Sequence, residues 1–503
     1  MPSRPRSTTL LTTILAALLC AATLASAQGS GGLGVELPEL GEPADLTLSP
    51  AQEAKIGDEV ASELYRGDYQ INDIEISDYI NSMGWKLAAK GAPNPPKFRF
   101  FVIGDPRINA FAVPGGVIGI NAGLLLNADN ESELAGVIGH EQAHVTQRHL
   151  ARTSNDTGVA NLATWAAVLA AIIAGSGNPD IILSGLAIGQ SVNYQREVNY
   201  TRSHELEADR IGIRTMAEAG YDPEGMASFF GKLEQQSRLY NSQLPDILRT
   251  HPVNTVRISE ARSRAAQIGK VSLKPNPEFG LMKARTIVLM ANSPTAAIDE
   301  MGSRLRSGDK SSSTQYGYAM ALFNSGRAAE ALAALAPVMV TLPRQLNVNL
   351  LQAQLLLATG SQQEGLALLD RTTSLNPRSA PALVIQARAL LDAGKPLEAR
   401  QLLLSHDQAH GEAPETHRLL SEASSQLKNV GDAQFEMANY EMARGDLRAA
   451  LTQVDAGLRL STLSQQDRAR LQSQREQLIS LIPRRQLADL AREQRRLGSS
   501  ALR

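Results

Sequence analysis

The stretch "GVIGHEQAHVTQRH", residues 136–149, decides how the rest of the chain is read. It holds three of the eight histidines in 503 residues. Asn130 is placed to cap a helix that starts near Glu131, and the pattern predicts that this helix runs to about Thr153. On a helix, His140 and His144 stand one turn apart on the same face and can grip one ion together. Glu141 projects about 100° round the axis from His140. It can take a proton from water at that ion without being a ligand. This is the H-E-x-x-H arrangement of zinc proteases, and a merely structural ion would have no use for the base. His149 lies five residues after His144, so on a continuous helix it points away from the pair and reads as an ordinary surface histidine.

A catalytic zinc needs a third protein ligand and an open position for water. The candidates are His149, His204, Glu205, Glu207 and His251. The segment "TRSHELEADR", 201–210, falls in a helix predicted over roughly 197–219. Glu205 and Asp209 share one face there. Glu205 is the expected ligand, with Asp209 orienting a ligand histidine from behind. Glu207 faces the opposite side.

Outward from these motifs, the first 27 residues read as a secretory signal: Arg4 and Arg6, the apolar run "LLTTILAALLCAATLA", and "ASA" before a cleavage site after Ala27. Export points to a bacterial periplasm or the exterior. Cys20 is the only cysteine, so the mature chain carries neither disulfide nor thiol chemistry. A net charge of -2 gives no support for nucleic-acid binding. Residues 28–48 read as a flexible leader, 49–265 as an α+β domain with a small sheet, and 266–306, loosened by prolines and glycines, as a linker. Within the first domain, "KFRFFVI" (97–103) reads as a strand, and "NAFAVPGGVIGIN" (109–121) as two strands joined at Pro114-Gly115-Gly116. The apolar run 159–174 and its continuation to about 190 admit a core helix, a mobile flap or a peripheral membrane contact.

Residues 307–503 read as an α-solenoid. "NSGRAAEALAAL", "ATGSQQEGLALL" and "DAGKPLEARQLL" place Gly326, Gly360 and Gly394 34 residues apart, each followed after five by a small residue: Ala331, Gly365 and Ala399. That is the tetratricopeptide period, whose arrays bind polypeptide. "ARGDLRAALTQV" looks like a further copy at Gly445, with room for an extra helix near 414–428.

"HEQAH" followed by "TRSHELEAD" resembles the gluzincin family that includes the HtpX and prenyl-protein (CAAX) proteases, whose third ligand is the Glu of a Glu-x-x-Ala-Asp signature. The matching positions are Glu205, Ala208 and Asp209. "NAFAVPGG" resembles that family's strand beside the cleft. With a signal peptide and tetratricopeptide repeats, the chain is similar to the BepA-type branch of periplasmic metalloprotease-chaperones. That type's C-terminal cysteines are missing here, so no redox-linked behaviour carries over. The resemblance implies that His251, in "THPVNT", can occupy the fourth zinc position and shut the site. A loop histidine stacked on Pro252 and an oxyanion donor remain as other readings. It also implies one Zn²⁺ per chain, polypeptide substrates, and clients among outer-membrane β-barrel proteins or their assembly machinery.

The expected activity is therefore a periplasmic zinc endopeptidase that degrades misfolded or stalled chains. His140, His144 and Glu205 hold the metal, Glu141 is the base, and Tyr194, Tyr200 or Arg202 are further candidates for oxyanion stabilisation. The rival readings are a non-proteolytic chaperone or scaffold with an inert site, and an integral-membrane protease.

Overall fold

The computed structural model describes residues 48–152, 194–239, 245–271, 276–410 and 414–482, with the isolated positions 487 and 492; for 194–201, 239 and 406–410 it describes the backbone alone. The segment 1–27 read as a secretory signal and the segment 159–190 lie outside these residues.

Helix α1 (Pro50–Arg66) starts as the sequence implies, with Ser49 and Gln52 forming a reciprocal capping box and proline in the first turn. Asp73 caps α2 (Ile74–Gly91) by accepting from the amides of Glu75 and Ile76. Three strands follow: β1 (Arg99–Ile103), β2 (Ala110–Val113) and β3 (Val117–Asn121). Their order is β1-β3-β2, with β1 parallel and β2 antiparallel to β3. Gly115 and Gly116 both take φ of 83°, which makes the tight β2–β3 turn possible. The outer edge of β1 is taken by the Gln70–Ile103 bridge. Among the described residues, β2 has a strand partner on one side only.

Behind the sheet come α3 (Ala122–Asn127) and α4 (Glu131–Thr146), the helix of the opening motif. Asn130 caps α4, and every residue from Ser132 to Ala143 is buried. Then follow α5 (Tyr194–Glu218), α6 (Glu224–Leu239), α7 (Asp246–Thr250) and α8 (Thr255–Ile268). Helices α4 and α5 pack directly on each other. Gly212 permits this: a Cβ there would stand 3.0 Å from the His140 nitrogen and 2.9 Å from Met226 Cε. A side chain there would crowd the α4 backbone, and the close approach brings the acidic residues of α5 to the histidines of α4.

Two expectations need correcting. Helix α4 ends at Thr146 rather than near Thr153: Gln147 is the C-cap and Arg148 adopts a left-handed φ of 53°. The stretch 266–306 contains two packed helices, α9 (Glu278–Met290) and α10 (Pro294–Arg306). Their prolines start helices rather than loosen the chain, Pro277 at the N-cap of α9 and Pro294 in the first turn of α10. Leu281 and Met282 of α9 join a core that runs unbroken from α2 through Leu355 of the repeats.

Paired helices then succeed one another: α11 (Ser312–Asn324) with α12 (Ala328–Thr341), α13 (Leu346–Ala358) with α14 (Gln362–Leu375), α15 (Ala380–Asp392) with α16 (Pro396–His410), and α17 (Pro414–Gln426) with α18 (Val430–Ala443). Helices α19 (Leu447–Leu458) and α20 (Gln465–Leu481) close the array. Gly326, Gly360 and Gly394 occupy the turns inside the first three pairs with φ between 71° and 87°. The fourth pair keeps the period: Lys428 stands 34 residues after Gly394, with φ of 61°. Buried Ala433 follows after five, the same offset as in the earlier pairs. The copy in phase is therefore centred on Lys428, and Gly445 marks the next turn, between α18 and α19.

The array is fastened to the first domain by buried charge. Arg285 of α9 bonds both Asp73 carboxylate oxygens at 2.8 Å through Nε, Glu75 Oε1 at 2.8 Å and the Tyr316 hydroxyl at 2.8 Å. Asn347 of α13 donates to the other Glu75 oxygen at 2.8 Å. Farther along, Arg444 donates to the Tyr65 carbonyl of α1 at 2.7 Å.

Replacing Lys428 by glycine removes a left-handed side-chain conformation and should stabilise the protein by about 0.5–1 kcal/mol, read as a rise in the urea midpoint; no rise would contradict the strain. Arg285→Met leaves Glu75 buried without its cation and should cost about 3–5 kcal/mol in the same measurement. A loss under about 1 kcal/mol would class the network with exposed pairs.

Candidate metal centre

Four side chains converge between α4, α5 and the turn after α7. One ligating atom from each of His140, His144, Glu205 and His251 lies within 4.8 Å of all the others. The Nε2 atoms of His140 and His144 face each other at 2.9 Å. Glu205 reaches toward both rings, Oε2 at 3.4 Å from His140 and Oε1 at 3.3 Å from His144. His251 Nδ1 is 3.1 Å from Glu205 Oε1 and 3.3 Å from His140 Nε2. Imidazole nitrogens and a carboxylate turned onto one small volume suit a divalent cation of the zinc class. Glu141 adds a second sign of fit. Both its oxygens are buried and neither has a hydrogen-bond partner among the described residues, while His251 Nε2 stands 3.4 Å from Oε1. Such a carboxylate is costly unless it faces a cation or a water that it can deprotonate.

Behind the ligands, His140 Nδ1 lies 2.9 Å from Asp209 Oδ1, so its proton belongs on that nitrogen and Nε2 keeps its lone pair for an ion. Asp209 is itself held by Arg257 of α8, whose Nε and Nη2 bond its two oxygens at 2.7 and 2.8 Å. Arg257 Nη1 reaches Glu205 Oε2 at 2.8 Å and the Pro252 carbonyl at 2.9 Å. One buried guanidinium thus grips Glu205, Asp209 behind His140, and the turn carrying His251. It stacks 4.8 Å over Phe230. Asn254 caps α8 by accepting from the Arg257 amide, which fixes where the guanidinium starts.

The charges balance accordingly. Burial favours the neutral ring of His140, but Asp209 and Glu205 outweigh it and push the pKa up to about 10. Burial also works against ionised Glu205, yet His251, His140 and His144 hold its carboxyl well below the usual range. His144 lies low because burial dominates. His251 lies high, since Glu205 and Glu141 overcome its burial.

Of the five candidates for a third ligand, the structure brings Glu205 and His251 to the histidine pair. His149 is not on the surface: it is buried at 3% exposure, and its Nδ1 meets His144 Nδ1 at 2.9 Å. The helical-wheel expectation fails because the helix stops before it, and the left-handed residue Arg148 turns the chain back under His144. Glu207 is half exposed but reaches His149 Nε2 at 3.1 Å and Arg152 at 3.2 Å. His204 is buried and stacks on His149, with centroids 4.2 Å apart and planes within 9°. Arg202 is exposed. Tyr194 and Tyr200 lie on α5, where only the backbone is described. Arg257 escaped sequence reasoning, since no local pattern links it to residues about fifty positions upstream.

Comparison with known proteins agrees with this geometry. The model of Peptidase family M48 matches residues 75–265. A putative beta-barrel assembly-enhancing protease of Vibrio cholerae is 40% identical over 266 residues, 53% of this chain and 55% of that protein. The beta-barrel assembly-enhancing protease of Escherichia coli is 35% identical over 309 residues, 61% of this chain and 63% of its own length. The match thus spans less than two thirds of either relative. The Yersinia pestis protein of the same name is 33% identical over 339 residues, 66% of this chain and 70% of the relative. With the H-E-x-x-H helix, the acidic partner helix and similarity at this length, the chain belongs to peptidase family M48, alongside the beta-barrel assembly-enhancing proteases.

Proposed function

We propose that this chain is a zinc endopeptidase that acts on extended polypeptide. One observation carries the reading: His140, His144 and Glu205 present ligating atoms to one point, with the buried Glu141 carboxylate, not hydrogen-bonded among the described residues, beside it. Those three side chains would hold the ion, with Asp209 and Arg257 keeping His140 and Glu205 aligned. Bound there, zinc supplies Lewis acidity toward water and the scissile carbonyl. Glu141 takes the proton from the attacking water and returns it to the leaving amine. β2 packs on α4 and, among the described residues, has a strand partner on one side only; its other edge would offer main-chain pairing to a substrate strand. Its selection is for chain that is already extended, hence for unfolded or stalled polypeptide.

In the arrangement seen here His251 completes a fourth protein donor, which supports a latent form: a side chain standing where water must enter. Moving the turn at 251–254 would open the site, and Arg257, bonded to the Pro252 carbonyl, ties that movement to Glu205.

The signal-like segment 1–27, with cleavage after Ala27, favours a periplasmic location, and no helix among the described residues is long and apolar enough to cross a membrane. The proposed division is a metalloprotease domain over 49–265 and a repeat array over 307–503, joined through the packed helices α9 and α10. The names of the relatives support clients among β-barrel proteins or their assembly machinery, engaged through the repeats. Stalled clients would be cut and productive ones helped onward. The segment 159–190, read from the sequence as a flap, a core helix or a membrane contact, lies outside the described residues.

Glu141→Gln should keep zinc at one per chain and lower proteolysis of an unfolded casein-type substrate by about 10²–10⁴-fold. Equal activity in both forms would remove Glu141 from the chemistry, and no activity in either would leave the scaffold reading. His251→Ala should raise proteolysis if the turn is a latch. A metal-replete but inactive His251→Ala protein would make His251 an oxyanion donor instead.

A further inference from the structure

We infer that His149 and Glu207 form a positioning relay for the ligand His144, the counterpart of Asp209 behind His140. The inference rests on the metal-binding reading of the site and deepens it. His140 and His144 both present Nε2 to the ion, so each must carry its proton on Nδ1 and needs an acceptor there. For His140 the acceptor is the Asp209 carboxylate, 2.9 Å away. For His144 no carboxylate among the described residues stands at that distance; the atom 2.9 Å from its Nδ1 is Nδ1 of His149.

The proton positions follow in sequence. His144 Nδ1–H donates to His149 Nδ1, which must then be bare. The proton of His149 therefore sits on Nε2, where it meets Glu207 Oε2 at 3.1 Å. Arg152 Nη1 donates to the same oxygen at 3.2 Å and holds the Glu207 carboxylate in place. Each link fixes the tautomer of the one before, from the half-exposed carboxylate inward to the metal face of His144.

Two independent features fit this assignment. The His149 ring is clamped flat against His204 at 4.2 Å, which fixes the plane in which Nδ1 must lie. His204 immediately precedes Glu205, so the clamp and the carboxylate ligand travel on the same turn of α5. The backbone also departs from helix to deliver the ring. Arg148 takes φ of 53°, an unfavourable conformation for a side-chain-bearing residue. That turn is compensated by Arg148 bonding Glu53 at 3.2 Å and the Leu48 carbonyl at 2.5 Å. A surface histidine would need neither the strain nor the anchor.

The test uses the full mature chain and a zinc competition titration against a chromophoric chelator, beside thermal melting of the zinc-free protein. His149→Phe keeps the stacked ring and removes both nitrogens. It should bind zinc about 10–100-fold more weakly than wild type, with the melting temperature of the zinc-free form unchanged. His149→Asn, whose Oδ1 can accept from His144 Nδ1–H, should recover most of the affinity. Glu207→Ala, at a half-exposed position, should lose several-fold. Wild-type affinity in His149→Phe, or Asn binding as weakly as Phe, overturns the relay. If His149→Phe does not fold, Glu207→Ala decides: unchanged affinity overturns the proposal. Failure of the wild-type chain to bind zinc would sink the metal centre itself, a result distinct from all of these.

Discussion

Three imidazole rings and one carboxylate crowd into one small, largely buried volume, and their lone pairs point at one another rather than away. That arrangement is electrostatically expensive unless a cation sits among them, and most of the first domain is organised to maintain it. The cost is contained by two buried supports. Arg257 neutralises Asp209 and Glu205 together, in a bidentate and a single contact that only a guanidinium can make at once. Gly212 removes the side chain that would otherwise separate α5 from α4. Without the first, the acids would repel; without the second, α5 would be crowded where it meets the His140 backbone.

Much of this was legible in the sequence, for reasons that are local. The start of α4 follows from Asn130 as a cap, and the pairing of His140 with His144 follows from helical periodicity. Glu205 and Asp209 follow from the same spacing one helix later. What was hidden is decided by tertiary contact. Nothing near residue 148 announces a helix end, since no glycine stands there; Arg148 adopts its turn because Glu53 and Leu48, about a hundred residues earlier, hold its side chain. The burial of His149 and its link to Glu207 follow from that one residue. Arg257 lies on a helix that approaches the site only after the chain has turned at His251. The fourth repeat was missed for a different reason. A search for glycine at a left-handed turn cannot see a lysine in that conformation, although Ala433, five residues on, kept the signature.

The reading of 266–306 shows how composition misleads. Prolines and glycines are scattered there, yet two of the prolines open helices, and α9 is the piece on which both halves of the molecule pack. Because Arg285 links Asp73 and Glu75 of the first domain to Tyr316 of the repeats, the array is an extension of the metalloprotease core rather than a tethered module. The β2 edge and the repeats are therefore parts of one continuous packing arrangement. The turn carrying His251 is fastened by Arg257 to the ligand carboxylate, so access and ligand geometry are coupled at one guanidinium.

The central claim is that His140, His144 and Glu205 share one ion. Anomalous diffraction at the zinc edge, from crystals of the protein purified without added metal, addresses it most directly. The account predicts a single peak per chain, about 2.0–2.1 Å from Nε2 of both histidines and a similar distance from the Glu205 carboxylate. A peak bounded by other side chains, or proteolytically active crystals with no peak between these three, would contradict it.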